Sequence, residues 1–433
     1  MIKLFQWILF ARRPLSAQEL RDALAADAKM DCTSLTELRS QESWSETLAD
    51  FERYVKYISK GLVEFHSRDI WELYEPGGED SDREAQLIHQ SVADFLLEKY
   101  LVTTEQNGAA AGHLQISRSC LKYLCLEDVL EKSHLQRGAL SSAFPLAPYA
   151  VRYVFEHIKN VEQAGVDQID LLSTIRWRPH SAHVQKLAEL WKHLNPDNIG
   201  TPIGWPFAGS SEFHVLAALG SKSALITLLS NHNGAIHSKD SSGNTPLHIA
   251  IREGHHDAAL VLLDQSSEWH QHIDRDGEAN TSSAEHSIPC ESRRVDINAE
   301  NEDGDTALNI AVATRADAVV FRLIDAGAWP KYMGQEHMLV FHAISSEDMP
   351  LLTKLISKEI DLHGAVYFAI KFGSPQHVIS ALLKAGADTA KALDFHRIST
   401  AEEDDSDSED EDDSSYSLQG KSTLILITKI IIH

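Results

Sequence analysis

Apolar residues recur at helical spacing along most of the chain, and the first hundred residues interrupt that rhythm once. Ser16-Ala17-Gln18-Glu19 reads as a capping box, with Leu15 and Leu20 at the staple positions around it. Ser43-Trp44-Ser45-Glu46 reads as a second box. It opens a predicted helix, 43–60, with Leu48, Phe51, Val55 and Ile58 on one face, and Gly61 stops it. The period then shortens. Residues 62–65 and 70–74 predict short strands, Pro76-Gly77-Gly78 a turn and residues 86–89 a returning strand. Ser91 with Asp94 is placed to cap a helix over 92–100.

Residues 113–200 predict helix throughout. Stretches 113–125, 148–164 and 181–194 are amphipathic, and Pro145, Pro148, Pro179 and Pro196 punctuate them. A repeat begins near residue 205. Asp240-Ser241-Ser242-Gly243-Asn244-Thr245-Pro246-Leu247-His248-Ile249-Ala250 leads to Gly254 and then Leu262-Leu263. Gly243 allows a tight hairpin turn, while Thr245 and Pro246 start a helix with a cap and a preset φ. Leu247, Ala250, Leu262 and Leu263 would form a stacking face. Ser211-Glu212-Phe213-His214 precedes Thr245-Pro246-Leu247-His248 by 34 residues, with Gly220 and Leu228-Leu229 in register. Gly304-Asp305-Thr306-Ala307-Leu308, Ala311 and Leu323-Ile324 form a further unit. Its Thr306 lies 61 residues after Thr245, about 28 beyond one repeat of that length, so an insertion falls near 266–294. Two weaker units run through Val340, Ala343 and Leu355-Ile356, and through Val366, Ala369, Gly373 and Leu382-Leu383.

The motif D-x-x-G-x-T-P-L-H-x-A, followed by G and then L-L, resembles the ankyrin consensus. Residues 5–25, FQWILFARRPLSAQELRDALA, with residues 87–101, LIHQSVADFLLEKYL, resemble the winged-helix segment behind the NTPase domain of fungal NACHT–ankyrin proteins. That module is catalogued with GPI inositol-deacylase-like proteins. The resemblance implies a mainly α chain: a winged helix over 1–104, a helical connector over 105–204 and about five ankyrin repeats over 205–400. An acidic tail with an apolar strip occupies 401–433. It further implies that His214 and His248 hydrogen-bond between repeats, a network that Asn309 alters in the third unit. By the family pattern, partner contacts fall at Ser241, Ser242, Asn244, Arg252 and Glu253, and at Glu302, Asp303, Asp305, Ala313 and Thr314. Since Met1 falls in the first winged helix, the family's NTPase motor is expected to be missing.

Composition narrows the chemistry. Lys plus Arg number 39 against 64 Asp plus Glu, a net charge of −25. Such a field repels nucleic acid and anionic membrane. The predicted helix 43–60 sets Arg53, Lys56 and Lys60 against Glu46, Asp50 and Glu52, so it offers no basic face to a major groove. The longest terminal apolar run, 424–432, is nine residues and contains Lys429, whereas a membrane span needs roughly 20. Four scattered cysteines (Cys32, Cys120, Cys125, Cys290) suit a reducing, intracellular setting, cytoplasmic or nuclear.

No cofactor is implied. Gly420-Lys421-Ser422 ends like a phosphate loop, but Ser415 stands where its first glycine belongs and no strand precedes it. No G-x-S-x-G elbow is present. His255-His256-Asp257 and His270-x-His272-x-Asp274 lack the fourth ligand of a zinc site. Ten of the twelve residues 402–413 are acidic, interrupted by Ser406 and Ser408, which predicts a disordered tail. The expectation is a non-enzymatic adaptor or sensor that binds a protein through ankyrin repeats, with no nucleic acid, membrane or small-molecule substrate. The alternative is an NTPase-less fragment of a STAND/NACHT-type ATP-driven switch.

Overall fold

Ser16 forms the predicted capping box: its hydroxyl accepts the Glu19 N–H, and the Glu19 carboxylate accepts the Ser16 N–H at 2.9 Å. Arg13 grips the same carboxylate through both guanidinium nitrogens. The computed structural model describes residues 1–26, 32–41, 44–67, 83–100, 108–178, 181–205, 210–231, 236–273, 296–328, 335–358, 360, 362 and 364–387. They fall into two compact units, 1–307 and 308–433.

The first unit opens with α1 (Ile2–Phe10), α2 (Ala17–Ala25), α3 (Leu35–Arg39) and α4 (Leu48–Ile58). Helix α4 starts later than the sequence suggests. Thr47 caps it by accepting the Asp50 N–H, closer to the buried Phe51 and Val55, and Ser43 lies outside the described residues. Lys60 and Gly61 turn the chain out of α4 in the left-handed region. Strand β1 (Val63–Ser67) then pairs antiparallel with β2 (Arg83–Leu87), Val63 facing Leu87. The predicted strand 70–74 and the turn at Pro76 lie outside the described residues. Helix α5 (Gln90–Phe95) runs on as a π-helical turn, Leu96–Tyr100. Its cap is His89, whose Nδ1 accepts the Ser91 N–H; Ser91 is the donor there, not the cap.

The helical middle comprises α6 (Gly108–Leu124), α7 (Glu127–Glu131), α8 (Arg137–Ala143), α9 (Ala147–Gln163), α10 (Leu171–Ile175) and α11 (Ala182–Leu194). Helices α6 and α9 share the unit's main apolar seam, with Ile116, Cys120 and Tyr123 on one and Val151, Val154 and Ile158 on the other, all fully buried. Helix α1 packs on α6 because Gly112 has no side chain: a Cβ there would stand 2.2 Å from the Phe10 ring. The buried Arg118 of α6 is held by Asp170 and Gln168, and the Gln168 N–H reaches Ser223 at 2.9 Å. Phe155, Trp177, Trp191 and Trp205 form an aromatic cluster with centroids 4.9–6.1 Å apart. This cluster ties the helical middle to the segment entering the repeats.

Two helix pairs follow, α12 (Glu212–Leu219) with α13 (Lys222–Asn231) and α14 (Pro246–Arg252) with α15 (His256–Ile273). Helix α15 has 18 residues against 10 in α13, so the insertion begins as extra turns of helix. Helix α16 (Ala307–Ala313) starts at the boundary between the units.

The second unit holds α17 (Asp317–Asp325), α18 (Gln335–Ser345), α19 (Met349–Ser357), α20 (Ala365–Lys371) and α21 (Gln376–Lys384). Val319, Leu323, Val340, Ala343, Leu352, Leu355, Val366, Ala369 and Leu382 are its core, on the spacing read from the sequence. Among the described residues no helix is long and apolar enough to cross a membrane. The acidic run, the apolar strip and Gly420-Lys421-Ser422 lie outside the described residues.

Each inner helix ends at a left-handed residue. Gly220, Gly254 and Gly373 supply it without strain, but Arg315 and Glu347 hold φ of 55° and 54°. A side chain in that region costs roughly 1–2 kcal/mol, and glycine returns part of the gain through a freer unfolded chain. Arg315 is exposed, so Arg315→Gly is expected to raise stability by about 0.5–1 kcal/mol. Denaturant midpoints of the two proteins check this.

Candidate functional site

The sequence points to the hairpin loops, and their geometry shows which residues hold them. Asp240 and Asn301 occupy the same place in successive hairpins, 61 residues apart like Thr245 and Thr306. Asp240 Oδ1 accepts the N–H groups of Ser242 and Asn244, and Asn301 Oδ1 accepts those of Asp303 and Asp305. The backbones close identically: Asp240 N–H donates to Asn244 O at 2.9 Å, Asn301 N–H to Asp305 O at 3.0 Å. A short polar side chain here makes the turn bonds that a sheet would otherwise supply.

The loops then join edge to edge. Glu302 N–H donates to Ser242 O at 3.0 Å, and the Asn301 amide donates to Asn244 Oδ1 at 3.1 Å. Gly243 is needed twice. Its φ is +72°, and a Cβ there would stand 2.9 Å from Glu302 N.

Histidine carries the ladder between repeats. His214 Nδ1 accepts the Ser211 N–H, and its Nε2 donates to Asn244 O at 2.9 Å. His248 repeats the pattern one unit on, accepting the Thr245 N–H and donating to Asp305 O at 3.2 Å. Each ring bonds one helix cap and one carbonyl of the next loop, which requires a neutral imidazole protonated on Nε2. Burial lowers the pKa of His214 and pulls that of His248 down to about 4, although the carbonyl bonds oppose it.

His255, which the sequence reading did not place, completes the ladder on the far side. Its ring covers Gly220, where a Cβ would meet Nδ1 at 2.5 Å, and Nε2 donates to Ala218 O at 3.1 Å. Burial brings its pKa to about 4. The signal was a histidine directly after Gly254, in register with Ser221 after Gly220.

A family model described as ankyrin repeats (3 copies) matches residues 182–275 and 213–333. The chain carries ankyrin repeats. The match reaches back to residue 182, into the stretch read above as connector. No curated protein matches the sequence. Solved structures similar to this chain include the human ASB11 ankyrin repeat domain, at 20% identity over 41% of this chain and 71% of that one, TM-score 0.28. The ankyrin repeat domain of Bcl-3, an IkappaB family member, matches at 17% identity over 48% and 83%, TM-score 0.29. A chain from the complex of the Bd0816 predatory endopeptidase of Bdellovibrio bacteriovorus with immunity protein Bd3460 matches at 23% identity over 45% and 94%, TM-score 0.31.

The ankyrin register sorts the ten candidate contact residues. Ser241, Ser242, Glu302 and Asp303 are exposed at the loop tips. Arg252 and Asp305 are half-buried. Asn244 is 3% exposed and bonded within the ladder, so it belongs to the scaffold and not to the accessible face. Glu253 is also drawn inward: its carboxylate accepts the Ile203 N–H, and burial raises its pKa. In the second unit, Ala313 at the end of α16 and Thr314 in the turn after it are exposed, and the Thr314 hydroxyl donates back to Ile310 O. Among the described residues no group of three or more His, Cys, Asp or Glu could hold a metal ion. The side chains of His270 and His272 lie outside the described set.

Gly243→Ala is expected to destabilise by about 1–3 kcal/mol, the usual range for strain with overpacking; Gly254→Ala, with the same φ sign but open space, should cost less. Thermal melts of the two variants check this.

The histidines also set a pH dependence. The unfolded imidazole takes a proton below about 6.5, whereas folded His248 does so only near 4. Between those values the unfolded state binds more protons, so stability falls as pH drops through that window. For His248 the loss at pH 5 is roughly 1–2 kcal/mol. His248→Asn, the residue that Asn309 supplies naturally, should be less stable at neutral pH and show a shallower acid loss. Melting curves from neutral to about pH 5 report the slope.

Proposed function

We propose that this chain is a protein-binding adaptor or sensor module that engages its partner at the hairpin tips of the repeats. The observation that carries the reading is the division of labour inside each loop. Asp240, Asn244 and Asn301 point inward into the ladder, while Ser241, Ser242, Glu302 and Asp303 between them stay exposed on a fixed backbone. Repeat stacks consume the apolar face of each unit, so recognition falls to such positions. The acidic tip Glu302-Asp303 suits a basic or polar partner surface. Binding and not catalysis is the reading, with no cofactor.

The order α1, α2, α4 and the β1–β2 hairpin supports reading the first hundred residues as a winged helix of the NACHT-associated kind. A packing role for α4 rather than DNA binding is favoured by its ion pairs, Arg53 with Asp50 and, from β2, Arg83 with Glu52 at 2.6 Å. A phosphate-loop exon upstream of Met1 in the transcript would favour the ATP-driven switch as the parent architecture.

Glu302→Lys with Asp303→Lys is expected to reduce capture of partners from cell extract while moving stability by no more than about 0.5 kcal/mol. Leu247→Ala or Leu262→Ala should instead cost about 2–5 kcal/mol, because each empties the stacking core. Quantitative pull-downs beside thermal melts make the comparison. Tip variants that retain every partner, while a variant of the outer helices loses them, would overturn the assignment.

A further inference from the structure

Outside the repeats, two histidines are packed against each other where α1 meets α6 and α9. The Arg12 N–H donates to Tyr149 Oη at 3.1 Å. Tyr149 Oη lies 2.9 Å from His157 Nε2, and His157 Nδ1 faces His113 Nδ1 at 2.8 Å. His157 is fully buried and His113 half-buried. Trp7 stands edge-on to Tyr149, and Phe10 leans on His113 with centroids 5.5 Å apart. The chain therefore runs from the exit of α1, through α9, to α6.

One proton arrangement uses every hydrogen. Arg12 N–H enters the tyrosine oxygen, Tyr149 O–H enters His157 Nε2, and His157 Nδ1–H enters His113 Nδ1. A further proton breaks it at either ring. On His113 Nδ1 it would face the Nδ1–H of His157 across 2.8 Å. On His157 Nε2 it would strand the tyrosine hydroxyl hydrogen and place a cation where no water reaches.

The surrounding groups give such a cation no help. Arg12 and Arg13 face the cluster from the exit of α1, Arg13 lying over the Tyr149 ring at 5.4 Å. From α6 comes Cys120, and from α9 Tyr153 and Glu156. The carboxylate of Glu156 is paired with Arg12, and that of Glu19 on α2 with Arg13. Burial, the neighbouring imidazole and Arg12 bring the His157 pKa down to about 3, and burial with Arg12 lowers that of His113.

We propose that the seat of α1 on α6 and α9 is an acid-labile latch, closed by the neutral Arg12–Tyr149–His157–His113 chain and opened when the two imidazoles become protonated. Opening frees the face of Leu4, Phe5 and Trp7, which is buried when the latch is closed. Once free, each imidazole ionises near its ordinary value. Passing from about pH 7 to about pH 5 therefore favours the open form by about twenty-five-fold per imidazole that stays neutral while latched.

Hydrogen–deuterium exchange on the full chain at about pH 7 and about pH 5 tests this, with each rate divided by its intrinsic value. Amides of α1 should exchange at least about tenfold faster in acid, while α19 and α21 keep their protection. In His113→Gln and His157→Gln the acid acceleration should shrink, with α1 still protected at neutral pH in the half-buried His113 variant. If the His157 variant does not fold, the His113 variant decides. Protection of α1 that ignores pH in the unmodified chain, or acceleration undiminished in His113→Gln, overturns the latch.

Discussion

A neutral imidazole, bare on Nδ1 and protonated on Nε2, is what the repeat region of the first unit depends on. Where the loops between repeats bury backbone groups, each of those groups must be bonded. His214 and His248 answer this by spanning from a helix cap in one repeat to a carbonyl in the next. A serine or asparagine can bond a cap but is too short to cross to the neighbouring loop as well. The reach of the ring fixes the spacing of the repeats. That spacing in turn forces Gly243 where the loops touch. Conformation, spacing and protonation state are thus one constraint seen at three levels.

The second unit shows what takes over when that residue is lost. Asn309, Phe341 and Tyr367 stand in the register of His248. There, polar side-chain contacts join the helices instead: His342 Nε2 lies 2.6 Å from Asp317 Oδ1, and Lys354 pairs with Asp325 at 2.7 Å. Phe341 stacks on Phe368 at 4.1 Å, which makes use of an aromatic ring where the ladder would have placed an imidazole. An exposed ion pair such as Lys354–Asp325 contributes little net stability. The apolar seam of Leu323, Val340, Leu352, Leu355 and Leu382 therefore carries more of the burden in this unit.

How much of this was legible in the sequence varied with the range of the interaction. The capping box at Ser16 and the stacking leucines are set by residues three or four apart, and a local pattern suffices to read them. The start of α4 was misread because Ser43 and Thr47 both head plausible caps, and only burial of Phe51 and Val55 chooses between them. The cap of α5 was missed because a histidine ring nitrogen did the work expected of a serine. Asn244 looked like an exposed tip residue, since motif position alone does not reveal that Asn301, 57 residues away, bonds its side chain. The His113–His157 pair, 44 residues apart on two helices, left no mark in either periodicity.

The loops that satisfy the ladder also leave something over for recognition, and the reason is their alternation. In a turn built on an Asx side chain, the residues whose N–H groups it receives are fixed by backbone alone. Ser242 and Asp303 are held this way, so their side chains are free of any structural duty that their backbones already perform. The neighbouring Ser241 and Glu302 are equally exposed, and Glu302 joins the next loop only through its N–H. Side-chain identity at these four positions is therefore uncoupled from the bonds that hold the stack. A change of charge at the tip alters what the surface attracts while Asp240, Asn244, Asn301 and the two histidines continue to set the geometry. The same loop that is strained by a methyl group at Gly243 holds the side chain one residue earlier out in solvent.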